Sequence, residues 1–156
     1  MDGSISMEET FRRLFKIVEI LHVRGAKKMG RANFDLLVGL TYRQESALLL
    51  VGAGEKSSSQ GLRQIDLARS LKTTIPATSV LVDVMEKKDL FVRTPCPNDR
   101  RAFLLRLTPR GRKTLHLIEQ NLSRLTDELT EGLSSEDRAA LIRVVNHFHD
   151  LLNDSN

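Results

Sequence analysis

The stretch that decides the fold is residues 90–111, LFVRTPCPNDRRAFLLRLTPRG. Residues 90–94 and 102–107 are strand-like, and the second run alternates its apolar residues. Its expected inner face carries Phe103, Leu105 and Leu107. Between the two runs, residues 95–101 have turn chemistry and place two arginines at the tip of a hairpin. Thr108 ends the hairpin and is expected to cap a long helix that has proline at its first position.

Two short helical patterns precede this hairpin. The first covers about residues 65–71. The second opens at Thr74, because a threonine side chain can cap a helix and Pro76 is tolerated in a first turn. The side expected to be buried carries Ala77, Leu81, Val84 and Met85, and the outer side carries Thr74, Thr78 and Ser79. Two helices joined by a tight turn and followed by a basic hairpin form a winged helix-turn-helix.

Amphipathic helices are predicted on both sides of this lobe. Residues 8–24 carry one apolar stripe, a second follows the hairpin as far as Gly132, and Ser134 starts a third. A winged module of about 70 residues cannot bury these stripes alone. We therefore expect them to form the shared helical interface of a homodimer.

The predicted fold class is mainly α with a small β-hairpin. Within the central lobe, Thr41 opens a helix with Gln44 placed to complete a capping box, and residues 52–61 have loop composition. The expected organisation is an N-terminal dimerisation helix in residues 1–35, a winged lobe in 36–113 and C-terminal dimerisation helices in 114–156.

Charge is distributed unevenly along the chain. The 156 residues carry 24 Lys and Arg against 20 Asp and Glu, a net charge of +4. By segment the charge is +2 for residues 1–59, +7 for 60–113 and −5 for 114–156. The basic segment coincides with the helix-turn-helix and the hairpin, which favours a polyanion as the partner of this lobe.

Several classes of function are excluded or disfavoured. A single Cys excludes a disulfide framework and a multi-Cys zinc site, and His147 and His149 point to different faces of a helix. The apolar run 48–51 is far too short for a membrane span, and residues 1–4 lack a signal-peptide pattern, so a cytoplasmic protein is expected. No nucleophile elbow or phosphate-binding loop is present, so we expect neither an enzyme nor a cofactor or metal.

Three sequence motifs resemble those of one known family. They are Asp99-x-Arg101-x3-Leu105-x-Leu107-Thr108-x2-Gly111, Leu40-Thr41-x2-Gln44, and Leu62-x4-Leu67-Ala68-x2-Leu71. In these motifs the chain resembles the multiple-antibiotic-resistance regulator (MarR) family over about residues 36–113. The first motif is the wing-to-helix signature of that family and is the most specific of the three.

The resemblance implies a symmetric homodimer that represses transcription by binding a pseudo-palindromic operator in double-stranded DNA. The helix from Thr74 would enter the major groove, and the wing would reach the adjacent minor groove, whose negative potential suits arginines on a hairpin tip. It also implies a small aromatic or phenolic effector that releases the DNA. The expected DNA-contacting residues are Thr74, Thr78, Ser79, Val80, Arg63, Gln64, Arg100 and Arg101, with Asp99 supporting the wing.

Two positions depart from the family pattern. Val80 stands where an arginine is common, so it can contact a thymine methyl but cannot bind guanine bidentately. Asp89 replaces the usual glycine after the second helix, a position where a left-handed backbone is expected and Asp is tolerated. Val80 mildly favours the alternative of a winged-helix protein-interaction module. Cys96, near basic residues, is a candidate redox switch, although an incidental thiol is the preferred interpretation.

The wing arginines give a direct test of DNA binding. Replacing Arg101 with Ala is expected to weaken operator binding by about 1–3 kcal/mol, because a groove contact is lost, while the dimer still folds. Gel shifts across a salt series measure this, and an affinity unchanged at every salt concentration contradicts it.

Overall fold

The computed structural model describes residues 6–27, 37, 39–58, 61–97 and 99–154. These residues form six helices and three strands. Their order is α1 (Met7–Lys27), α2 (Tyr42–Ser57), β1 (Leu62–Arg63), α3 (Gln64–Ser70), α4 (Ile75–Lys87), β2 (Phe91–Cys96), β3 (Asp99–Leu107), α5 (Pro109–Thr130) and α6 (Ser135–Asp154). The predicted class, mainly α with a small hairpin in a winged helix-turn-helix, is confirmed. The chain divides into two compact units, Met1–Asn121 and Leu122–Asn156.

The sheet is antiparallel, in the order β1-β3-β2. The strand β1 was not predicted, because a two-residue strand has no periodicity of its own. The hairpin is also longer than predicted. Cys96 pairs with Asp99, so the two arginines expected in the turn lie at the start of β3 instead.

The central strand is buried on both faces over part of its length. Leu105 and Leu107 are buried as predicted, but Phe103 is 48% exposed and its neighbour Leu104 is buried. Successive side chains of a strand point to opposite faces, so burial of Leu104 and Leu105 together means that both faces are covered there. Phe103 pairs with Pro95, closer to the tip of the hairpin, and the prediction that Phe103 lies on the buried inner face is wrong.

The core of the lobe is built where α2, α3, α4 and β3 meet. Its fully buried large side chains are Leu48, Val51, Leu67, Val82, Met85 and Leu105. α2 continues to Ser57, so the loop predicted from residue 52 begins too early. Gly52 is buried against Leu115, and a Cβ there would lie 2.3 Å from Leu115 Cδ2. Packing on α5 therefore outweighs the low helix propensity of glycine.

Side-chain caps start the helices where the sequence predicted them. Thr41 and Gln44 form the predicted capping box of α2. Thr74 Oγ1 accepts from the Ala77 amide at 3.3 Å, with Pro76 in the first turn of α4. In the C-terminal unit, Gly132 has φ +80° and ends α5, and Ser134 accepts from the Asp137 amide to start α6.

Two left-handed residues end α3 and α4. Lys72 has φ 48° and Asp89 has φ 57°, which confirms the left-handed backbone expected at Asp89. After each helix the chain forms a Schellman motif: Thr73 N donates to Ala68 O, and Leu90 N donates to Met85 O. These motifs fix the turn between α3 and α4 and the turn from α4 into the hairpin.

The base of the hairpin is tied to α5. Thr108 Oγ1 donates to Asp89 O at 2.6 Å and accepts from Gly111 N at 2.9 Å, while Thr108 N donates to Leu90 O at 3.1 Å. A Cβ at position 111 would lie 2.1 Å from the Leu90 carbonyl oxygen, which accounts for the glycine. No helix of the described residues is long and apolar enough to cross a bilayer.

Asp89→Gly is expected to raise the free energy of unfolding by about 0.5–1 kcal/mol. Removing the Cβ relieves left-handed strain, and the gain is reduced by the larger entropy of glycine in the unfolded chain. Urea denaturation measures the change. Asp89→Ala keeps the Cβ and should bring no gain, and a lower stability for the glycine variant would contradict the expectation.

Candidate nucleic-acid interface

The outer face of α4 differs from the one predicted. Its exposed residues are Ile75, Pro76, Ala77, Val80, Asp83 and Lys87. Thr78 is fully buried, and its hydroxyl donates to the Thr74 carbonyl at 3.0 Å. The prediction that Thr78 contacts bases and that Ala77 is buried is therefore wrong. A threonine whose hydroxyl donates to a carbonyl of the preceding helical turn can be buried in a core. Because Thr78 was assumed to point outward, the predicted outer face of α4 was wrong.

The other predicted residues of α4 lie at or near the surface. Val80 is 64% exposed, Thr74 is exposed while capping the helix, and Ser79 is half-buried. The outer face of α4 is consequently more apolar than the sequence interpretation suggested. Methyl groups, rather than hydroxyls, dominate what this helix presents.

Arg63 and Gln64 occupy different environments. Arg63 is exposed in β1, where its backbone pairs with Leu104. Gln64 is half-buried at the start of α3, and its Oε1 accepts from Arg93 Nε at 3.5 Å. Gln64 therefore contacts the interior of the lobe, whereas Arg63 faces solvent.

Arg93 makes a set of contacts that the sequence pattern did not predict. From β2, its guanidinium donates to Asp83 Oδ1 at 2.7 Å, to Glu86 Oε2 through Nη1, and to Ser79 O at 3.4 Å. The signal was present in the sequence, because Arg93 follows the buried Phe91 by two residues and so shares its inward face. A charged residue at an inward strand position requires partners.

The wing residues are described only through their backbone. Asp99, Arg100 and Arg101 begin β3 next to the turn. Their side chains lie outside the described residues, so the roles assigned to them stay predictions. Cys96, the candidate redox switch, is a buried free thiol, and the guanidinium of Arg93, close to it in sequence, is bound to carboxylates.

Ion pairs neutralise part of the basic segment. Arg106 and Arg112 both pair with Glu55, whose side chain is only 13% exposed, and Arg69 pairs with Asp66 at 3.0 Å. Exposed basic side chains around α3, α4 and the start of α5 include Arg63, Lys87, Arg110 and Lys113. Asp66 is already counted in the +7 of residues 60–113, so among these pairs only Glu55, which lies outside that segment, lowers the positive charge around the winged lobe.

An open hollow of about 260 Å³ lies between α2, β3 and α5. Its charged groups pair with one another, Lys56 with Glu119 at 3.0 Å and Arg112 with Glu55. Across the described residues, no group of three or more His, Cys, Asp or Glu is arranged to hold a metal ion. We assign no ligand to the hollow.

Comparisons with known proteins show that the chain is similar to transcriptional regulators. A sequence model of the MarR family matches residues 57–103. A putative transcriptional regulatory protein for the hcr operon of Thauera aromatica is 31% identical over 93 residues, which are 60% of this chain and 56% of that relative. The chain thus spans little more than half of that relative's length. An uncharacterized HTH-type regulator of Bacillus subtilis, YdgJ, is 28% identical over 86% of this chain and 80% of its own.

Among solved structures, the transcriptional repressor CouR bound to a 23-mer DNA duplex is 29% identical, with a TM-score of 0.70 over 92% of each chain. The likeness extends well beyond the segment that the family model matches. A family model, two curated relatives and a solved repressor structure agree, and in sequence and fold the chain is similar to the MarR family of transcriptional regulators.

Proposed function

We propose that the chain is a sequence-specific DNA-binding repressor that acts as a homodimer on a pseudo-palindromic operator in the cytoplasm. α4 enters the major groove and the wing reaches the minor groove. The observation that carries the proposal is the outer face of α4, which is exposed beside a basic hairpin while the opposite face supplies the core. The likeness to a repressor bound to DNA supports it.

Exposed apolar faces on the outer helices support the dimer. α1 exposes Phe11, Leu14, Phe15, Ile17 and Ile20, and α6 exposes Leu141, Ile142, Val144, Val145, Leu151 and Leu152. Large apolar side chains exposed along a helix in this way mark an interface. A second copy covers it in our proposal, which keeps the division into residues 1–35, 36–113 and 114–156. The acidic charge of the last segment lies on the dimerisation helices and not on the winged lobe.

Val80, Ser79 and Thr74 contact bases in this proposal, and Thr78 does not. Val80 meets a thymine methyl, and the two hydroxyls supply short polar contacts. Arg63 binds a phosphate, and Arg100 and Arg101 reach the minor groove with Asp99 holding the wing. Gln64 is half-buried and its oxygen accepts from Arg93, so only its amide N–H groups remain to donate to a phosphate.

The small aromatic or phenolic effector rests on the family resemblance alone. In the proposed mechanism it stabilises a spacing of the two winged lobes that no longer fits the two half-sites. The regulator then dissociates from the operator without any chemical step, so the proposal includes no catalysis and no cofactor.

Operator binding is tested with DNA from upstream of the chain's own gene. Gel shifts are expected to show specific binding, and sedimentation is expected to show two protomers alone and two per duplex, since paired half-sites about 34 Å apart need a two-fold dimer. A stable monomer at micromolar concentration contradicts the dimer. A dimer without DNA binding would favour the alternative of a protein-interaction module, for which the apolar face of α4 is suited.

The contact of Val80 is tested by removing a thymine methyl. Replacing the contacted thymine with uracil is expected to weaken wild-type binding by about 1 kcal/mol, the value of one buried methyl. Fluorescence anisotropy measures the change at each thymine of a half-site in turn. Val80→Ala should make binding insensitive to the same replacement, and equal losses in both proteins would assign the methyl contact elsewhere.

A further inference from the structure

One arginine joins the two elements that the proposed function uses to read DNA. Arg93 lies on β2, and its guanidinium reaches three groups on α4: Asp83, Glu86 and the carbonyl of Ser79. Its backbone amide also donates to Glu86 Oε1 at 3.1 Å. Through Nε it contacts Gln64 on α3 as well. A single side chain therefore bridges the hairpin to both helices of the helix-turn-helix.

This network is partly shielded from solvent, and its geometry is demanding. The Arg93 side chain is 19% exposed, against 31% for Glu86 and 53% for Asp83. Partial burial strengthens the ion pairs relative to surface pairs, and the planar guanidinium fixes the direction of each donor. Lysine carries the same charge, but its single ammonium group cannot donate to all of these acceptors in the fixed directions of a planar guanidinium.

The network also controls the charge of α4. Asp83 stands on the exposed face of α4, and Glu86 lies one turn further on. Two carboxylates at this position would repel DNA phosphates. Arg93 offsets one of the two charges and holds both carboxylates toward the hairpin.

We propose that Arg93 is a positioning residue that locks α4 to the wing hairpin in one orientation, so that major-groove and minor-groove contacts form together. The inference rests on the proposed function. Recognition groups must be held within about 0.5 Å of their productive geometry. The turn at Asp89 and Leu90 fixes the hairpin to α4 only at its base, so a directional contact further along β2 is needed to fix the angle between them. Arg93 supplies that directional contact without touching DNA.

The test compares Arg93→Lys with a matched control, Arg106→Lys. Arg106 lies on the same hairpin and pairs with Glu55 on α2 rather than with α4. Both variants keep their charge. On operator DNA, Arg93→Lys is expected to bind at least tenfold more weakly, and Arg106→Lys within about twofold of wild type.

A footprint at saturating protein separates positioning from general destabilisation. In Arg93→Lys, hydroxyl-radical protection of the minor groove should fade while protection of guanine N7 in the major groove persists. A protein that is merely less stable gives the wild-type footprint once saturated. A complete footprint together with wild-type affinity for Arg93→Lys would overturn the proposal.

A measurement without DNA keeps the proposal independent of operator binding. Spin labels at the exposed positions Ala77 and Val92, in a background with Cys96→Ser, report the distance between α4 and the hairpin. Arg93→Lys should broaden the distance distribution, and Arg106→Lys should not. Broadening without any footprint from the wild-type protein would refute the proposed function alone, whereas an unbroadened distribution would refute the role of Arg93.

Discussion

Everything in the winged lobe depends on how two carbonyl groups, those of Asp89 and Leu90, are bound. They accept the hydroxyl and the amide of Thr108, and the Leu90 oxygen lies against the bare Cα of Gly111. At this point the end of α4, both ends of the hairpin and the start of α5 come together. The hairpin cannot change its angle to α5 without breaking these bonds, so the same few atoms set the direction of both the wing and the long helix.

The winged fold was predictable because the residues that start and end its helices act locally. The caps at Thr41, Thr74 and Ser134 and the left-handed Asp89 each follow from a residue and its neighbours within four positions. The strand β1 was not predictable, because its two residues pair with Leu104 and Leu105, more than forty positions along the chain. For the same reason a loop was wrongly predicted to begin at Gly52, because the place of this glycine in α2 depends on its packing against the distant Leu115.

The candidate site was predicted less well than the fold. Its location on α4 and the hairpin followed from charge and motif, but the face of α4 did not. Thr78 was expected to be exposed and is buried, whereas Ala77 was expected to be buried and is exposed. A threonine can be buried when its hydroxyl is bonded to the preceding helical turn. The partners of Arg93 could not be predicted from the sequence, because they depend on how β2, α3 and α4 are arranged in space.

The start of α4 has a consequence for how phosphates are held. A helix N-terminus usually attracts anions through its free amides. Here Pro76 has no amide hydrogen, the Ala77 amide is bound by Thr74 Oγ1, and the Thr78 amide is bound by the Thr74 carbonyl. Little of that main-chain donor capacity remains, so phosphate anchoring near this helix falls to mobile basic side chains. Their attraction works at longer range and is screened by salt, which makes ionic strength a natural control on residence at a DNA site.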